Sequence, residues 1–349
     1  MYEIFLMVLF VVSPAVLFGQ QETKGAISGV ASDSATGTPV ENANVFLSFT
    51  TIGASTGLDG SFHLINVPFG AYDLVVSRGG YEREVINIRI VDCETLHYDI
   101  RLKPRVLQEE GVNIIAESPE GWRENLERFV RAFVGTTDNA DQCRILNPEV
   151  LDFRFDHRTD TLIAKTDSVL RIENKALGYR LFILLSSFVW NVRQDYGHYL
   201  HYPRLETLPP RDSQELSQWR ENRLQSFCGS LKHFLRTLYT GTTEEEKFVI
   251  FSGPLKSLVH GDGHRVAQDD VTIENGTPFK TLLFPEYLKV EYRGRAYTRD
   301  RVAISFVTLR QAFALIDKRG NLLDPLSVEI SGSWSYDRVA DLLPMDKEP

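Results

Sequence analysis

Residues 25 to 81 are cut at short intervals by turn chemistry, and that punctuation restricts the fold of this stretch more than any other feature of the chain. Gly37-Thr38-Pro39, Asp59-Gly60 and Val67-Pro68-Phe69-Gly70 supply residues that tolerate or impose turn dihedrals, leaving no uninterrupted length for a helix. Between them the apolar residues alternate. Val45, Leu47 and Phe49 share one face, as do Phe62 with Leu64, and Tyr72 with Leu74 and Val76. Strands are expected over 26–31, 43–49, 61–67, 70–77, 84–91 and 97–102, each burying one face. That is the pattern of a small β-sandwich over residues 24–103.

Pro104 closes the last of these strands, and residues 104–119 read as a connector in which Gly111–Ala116 offers one more edge strand. From residue 120 the period changes. Trp122, Leu126, Phe129, Val130 and Phe133 fall on one helical face, with Ser118-Pro119-Glu120 as the helix start. Strands are expected over 150–155, 162–166, 169–173 and 181–190, with Asp156 to Asp160 as a hairpin loop. A second helix is expected over 214–239, kinked at Cys228-Gly229-Ser230, before strands at 248–251, 281–292, 302–308 and 314–316. Residues 120–349 therefore read as an α+β domain with mainly antiparallel strands and two prominent helices. The 349-residue length suits two domains of about 150 residues or more.

Composition separates the classes of function. A formal charge of −9 with no run of three basic residues repels phosphate backbones, so nucleic acid is not an expected partner. Ile4 to Phe18 is almost wholly apolar and turns polar at Gly19-Gln20, which reads as a signal peptide over residues 1–20, although its start carries no Lys or Arg. The run falls short of the roughly 20 residues that span a bilayer as a helix. The expected location is the periplasm or outer-membrane periphery, or the medium after secretion. An oxidising compartment lets disulfides persist, and of Cys93, Cys143 and Cys228 the preferred pair is Cys143 with Cys228.

The words Ile27-Ser28-Gly29-Val30, Thr36-Gly37-Thr38-Pro39-Val40, Thr56-Gly57-Leu58-Asp59-Gly60-Ser61-Phe62, Val67-Pro68-Phe69-Gly70-Ala71-Tyr72 and Gly80-Tyr81 resemble the carboxypeptidase regulatory-like family, a transthyretin-like sandwich. Later words resemble bacterial proteins of the Bacteroidetes type that carry the same sandwich. They are Asn139-Ala140, Cys143-Arg144-Ile145-Leu146-Asn147-Pro148, Ala176-Leu177-Gly178-Tyr179-Arg180, the stretch Gly229 to Arg236, and the ending Arg338 to Pro344. The resemblance implies a sandwich fold and carries over no active site.

A zinc carboxypeptidase would need a His and a Glu three residues apart, and no His-x-x-Glu or His-Glu-x-x-His occurs. Gly53-Ala54-Ser55-Thr56-Gly57 matches a nucleophile elbow in letters, but it falls between strands rather than between a strand and a helix. The weak candidates are His233, within an apolar helix, and His260 with His264, which flank Asp262 in a glycine-bounded loop. His198 and His201 read as structural or surface residues, and Asp156 with Asp160 and Asp167, and Asp269 with Asp270, as solvated turns. Catalytic residues, cofactor and metal are each expected to be none.

Three functions compete on this basis. The first is a non-enzymatic exported envelope protein whose sandwich is an interaction module and whose second domain recognises a partner, either an envelope protein or a glycan. Peripheral membrane association is compatible with it. The second is carbohydrate binding, which requires an exposed aromatic platform from Trp190, Tyr196, Tyr199, Tyr202 or Trp219. The third is a hydrolase in the C-terminal domain using His233 or the His260 loop. A transmembrane barrel is excluded, since the helical Trp122 and Trp219 segments interrupt the repeated alternating pattern it needs.

Overall fold

The computed structural model describes residues 24–105, 119–274, 278–294 and 302–348. The expected leader and the Gly111–Ala116 strand lie outside them. Two sheets form the sandwich: β1 (Lys24–Asp33), β4 (Ser61–Pro68) and β7 (Thr95–Leu102) in one, and β2 (Asn44–Leu47), β3 (Gly53–Ser55), β5 (Gly70–Ser77) and β6 (Glu84–Ile90) in the other. Their inward residues, among them Ile27, Phe62, Leu64, Val45, Leu47, Leu74, Val76 and Ile88, form one core. β1 pairs antiparallel with β4 but parallel with β7, so the first and last strands of the sandwich lie side by side. Gly29 permits that approach, because a Cβ there would fall 2.0 Å from the Tyr98 carbonyl oxygen.

Phe49 departs from the expected alternation. The strand ends at Leu47, Phe49 adopts a left-handed φ of 60°, and its ring leaves the sandwich to meet His201 edge-on. Its N–H donates to the Pro203 carbonyl, and the Leu205 N–H donates to the Thr50 carbonyl. The loop after β2 is thus a docking peg inserted into the next part of the chain.

That part begins with α1 (Pro119–Phe129), prolonged by a wider π turn over Val130–Val134. It packs on a six-stranded antiparallel sheet of β8 (Cys143–Ile145), β9 (Leu151–Asp156), β10 (Thr161–Thr166), β11 (Leu170–Asn174), β12 (Tyr179–Asn191) and β13 (Tyr196–Thr207). The long β12 pairs along one edge with β13 and along the other with β11 and then β10. Phe129, Phe133, Phe153 and Phe188 pack ring to ring in its core.

The expected kinked helix is two helices, α2 (Ser213–Phe227) and α3 (Leu231–Thr240). Gly229 has φ 85°, and the Ser230 hydroxyl accepts the His233 N–H as an N-cap, so the chain stops one helix and restarts another. Beyond α3 come β14 (Phe248–Gly253), α4 (Leu255–His260), β15 (His264–Val266), β16 (Thr272–Glu274), β17 (Phe279–Leu282), β18 (Tyr287–Tyr292), β19 (Ala303–Leu309), β20 (Ala314–Asp317) and β21 (Val328–Gly332). They make a five-stranded sheet and a three-stranded sheet around α3. The strand expected over 281–292 is divided between these two sheets, since Pro285 lacks an N–H and Glu286 turns at φ 54°. The α+β region therefore holds two separate cores, one on the six-stranded sheet and one around α3.

The last dozen described residues tie all three cores together. Asp341 accepts from Thr137 and Asn139, and the Ala340 carbonyl accepts from Asn174, all within the six-stranded unit. Lys232 on α3 donates to the Pro344 carbonyl at 2.9 Å and Arg236 pairs with Glu348. The Met345 N–H then donates to the Phe49 carbonyl of the sandwich loop.

Candidate functional site

Where the sandwich meets the six-stranded sheet, a cleft of about 490 Å³ is left open. One wall comes from the sandwich: Ser77 at the end of β5, then Arg78, Gly79, Tyr81, Glu82 and Arg83 in the turn to β6, and Arg105 after β7. The other wall is the turn between β10 and β11, Thr166 to Val169, and the floor includes Leu184 of β12. Clefts at such junctions are the usual place for ligands because two rigid modules shape them.

Each polar group in the cleft has a traceable setting. The Tyr81 hydroxyl donates to Asp33 at 2.9 Å, which raises the pKa of the phenol. Asp33 in turn accepts the N–H groups of Thr36 and Ala35, which hold its own pKa below the usual range. Arg105 reaches across the cleft to Asp167 at 2.6 Å and links the two walls. Arg78 donates to the Asn42 carbonyl at 3.3 Å, while Arg83 is exposed near the Tyr202 phenol. Ser77, Thr166 and Ser168 bring hydroxyls, but the lining contains no imidazole, amine or thiol to activate them.

The sequence candidates lie elsewhere. His233 is buried between Phe227, Phe248 and Tyr292. Its Nδ1 accepts the Gly229 N–H at 3.0 Å, its Nε2 faces Glu246 at 3.4 Å, and burial lowers its pKa against the pull of that carboxylate. Both ring nitrogens are thus committed to holding the α2–α3 corner. His260 ends α4 with Nδ1 donating to the Lys256 carbonyl at 2.7 Å, and His264 is an exposed start of β15. No group of three or more His, Cys, Asp or Glu among the described residues is arranged to hold a metal ion.

Cys143 and Cys228 are free thiols, which corrects the expected bridge. Cys143 packs against the core of the six-stranded sheet and Cys228 against the core around α3, so each thiol serves a different unit. Burial, and then the charge of Asp341, pushes the Cys143 thiol up to about 12. Gly53–Ser55 is the short strand β3, paired antiparallel with β2, which is not the strand-to-helix geometry of an elbow. Asp156 accepts the Arg158 N–H and Asp270 the Ala267 N–H, both as turn caps. Trp190 and Trp219 are buried, and Tyr199 packs on the core. Of the expected platform only Tyr196, 72% exposed, stands clear of the surface.

Two arrangements were invisible in the sequence. Lys232 is half-buried on α3 with its pKa brought down to about 8 by desolvation, yet its ammonium is spent on the Pro344 carbonyl. On the outer face of the sandwich, Ser28 and His97 meet at 3.2 Å and His97 approaches Asp99 at 3.3 Å. This order of residues mimics a catalytic triad, but the Ser faces Nδ1, and the group lies on an open sheet face outside the cleft, with nothing to exclude water. Only the parallel register of β1 with β7 brings these residues together, and no local pattern announces it.

A family model for the CarboxypepD_reg-like domain matches residues 27–114, a span that runs from within β1 to beyond the end of β7. Residues 27–114 are a CarboxypepD_reg-like domain. The sandwich wall of the cleft, from Ser77 through Arg105, thus belongs to the CarboxypepD_reg-like domain, while the opposite wall lies outside the match. No curated protein matches the chain. Among solved structures, the major pilin subunit BcpA of Bacillus cereus is 17% identical over 24% of this chain and 31% of its own, with a TM-score of 0.21. A candidate carbohydrate-binding protein from Bacteroides uniformis is 13% identical over 46% of this chain and 61% of its own, with a TM-score of 0.21. A DUF3823 family protein from Parabacteroides merdae is 11% identical over 53% and 81%, with a TM-score of 0.19. At such scores none of them carries an argument about what this chain binds.

Proposed function

We propose that this chain is a non-enzymatic, exported binding protein that recognises an envelope partner through the cleft between the CarboxypepD_reg-like domain and the six-stranded sheet. The observation that carries the reading is the make-up of that cleft: arginines and small hydroxyls around an aliphatic floor, with no nucleophile–base pair. Export rests on the apolar run from Ile4 to Phe18. Hydrolysis at His233 is disfavoured because both its ring nitrogens are engaged within the fold, and a glycan platform because Trp190 and Trp219 are buried.

Site-specific photo-crosslinking in the producing cell tests this. A benzoylphenylalanine at Ser168, inside the cleft, is expected to trap one discrete partner, whereas the same group at Leu58, 83% exposed on the sandwich, traps none. Identical patterns from both positions would remove the cleft as the recognition site. An esterase and peptidase screen that responds to His233→Ala would instead establish the hydrolase.

A further inference from the structure

We propose that the cleft binds an extended peptide segment that carries carboxylates beside aliphatic side chains, with Arg78 and Arg83 as the charged anchors. This rests on the cleft being the recognition site. The first ground is charge. Three guanidiniums line the cleft against the two carboxylates of Glu82 and Asp167, in a chain whose formal charge is −9. One guanidinium, Arg105, is neutralised by Asp167 across the gap. Arg78 and Arg83 form no ion pair among the described residues, so their charge is directed at whatever enters. Arg presents a planar fork of N–H donors that matches a carboxylate in two-point fashion.

The second ground is the floor. Val169 and Leu184 are half-buried aliphatic side chains at the bottom of the cleft. Sugar rings are held by stacking on aromatic faces, and the one aromatic ring in the lining, Tyr81, has its hydroxyl tied to Asp33. An aliphatic floor beneath arginines suits a Leu or Val next to an Asp or Glu better than it suits a saccharide. The hydroxyls of Ser77 and Ser168 along the walls supply hydrogen-bonding partners for a peptide backbone, while that of Thr166 is spent on the backbone of Ser168.

The test uses the mature chain and fluorescein-labelled octapeptides of alternating residues, Asp-Leu, Asn-Leu and Lys-Leu, read by fluorescence anisotropy. Saturable binding of the Asp-Leu peptide is expected, at least about ten-fold tighter than the Asn-Leu peptide and weakening with salt. The Arg78→Ala, Arg83→Ala double variant should lose at least about ten-fold, and Leu184→Asp should lose binding with both arginines intact. Because the two arginines lie at the surface, the double variant is expected to keep the circular dichroism spectrum of the parent. Equal binding of the Lys-Leu peptide, or an unchanged double variant, would overturn the proposal. So would retention of oligogalacturonate in place of the peptide. A crosslink from Ser168 that persists while the Asp-Leu peptide fails would remove the acidic peptide and keep the cleft.

Discussion

Asp346 grips Thr51 at two points, accepting its backbone N–H at 2.8 Å and its hydroxyl at 2.6 Å, across 295 positions of sequence. The carboxylate side chain is 3% exposed, so the charge is sheltered at the seam between sandwich and tail. Removing it leaves the half-buried N–H and hydroxyl of Thr51 without their acceptor, which costs more than the bonds themselves. Asp346→Ala is expected to destabilise the chain by about 2 to 3 kcal/mol. Chemical denaturation followed by circular dichroism checks this, and Asp346→Asn should recover part of the loss. A loss confined to the sandwich would show that the tail holds it in place without supporting the other two cores.

Gly178 stands at φ 70° with the Trp219 ring where a Cβ would go, 2.3 Å away. The Trp219 indole N–H donates to the Lys175 carbonyl, and Asn222 and Arg223 donate to the next two carbonyls, so α2 is fastened to this turn by three side chains. Gly178→Ala must both strain the backbone and push the ring away, which is expected to cost about 3 kcal/mol or more. Thermal unfolding measures it. A neutral substitution would mean that α2 can move without loss.

The sandwich was legible because turn residues and a period of two act locally, and those signals set the strands before any tertiary contact is made. β3 escaped because Gly53-Ala54-Ser55 has no alternating pattern, only a partner in β2. The step at Cys228-Gly229-Ser230 reads in the sequence as a kink rather than a full break, since Leu224, Phe227, Leu231 and Phe234 hold their helical spacing across it. The cleft could not be read at all. Arg78, Arg105 and Asp167 meet only when the sandwich docks, and the docking peg is a left-handed Phe49 that local periodicity assigned to the sandwich core. The resemblance words at 139–140, 176–180, 229–236 and 338–344 prove to be the joints of the fold. Asn139 meets Asp341, Gly178 meets Trp219 and Lys232 meets Pro344.

His201 sits against the rings of Phe49, Phe133 and Tyr199, and desolvation brings its pKa from 6.5 down to about 4. The folded chain holds the ring neutral. As pH falls from 6.5 toward 4 the unfolded chain takes up a proton that the folded chain refuses, so stability is complete above this window and declines within it. The loss is on the order of 2 kcal/mol once solvent screening of the half-buried ring is allowed for. His201→Phe keeps the ring packing and cannot titrate. Its stability should therefore fall less than that of the parent between pH 6.5 and 4, and parallel curves would show that His201 keeps an ordinary pKa.

The three free thiols should differ in reactivity in a defined order. Cys93 is exposed, whereas burial raises the pKa of both Cys143 and Cys228 and so removes the thiolate that attacks a disulfide reagent. Titration of the native chain with Ellman's reagent should give one fast equivalent and two slow ones, and Cys93→Ser should abolish the fast phase. After unfolding without reductant all three should react at once. Recovery of a single equivalent from the unfolded chain would show that Cys143 and Cys228 are joined, and that the cores of the six-stranded sheet and of α3 approach more closely than their separate packing requires.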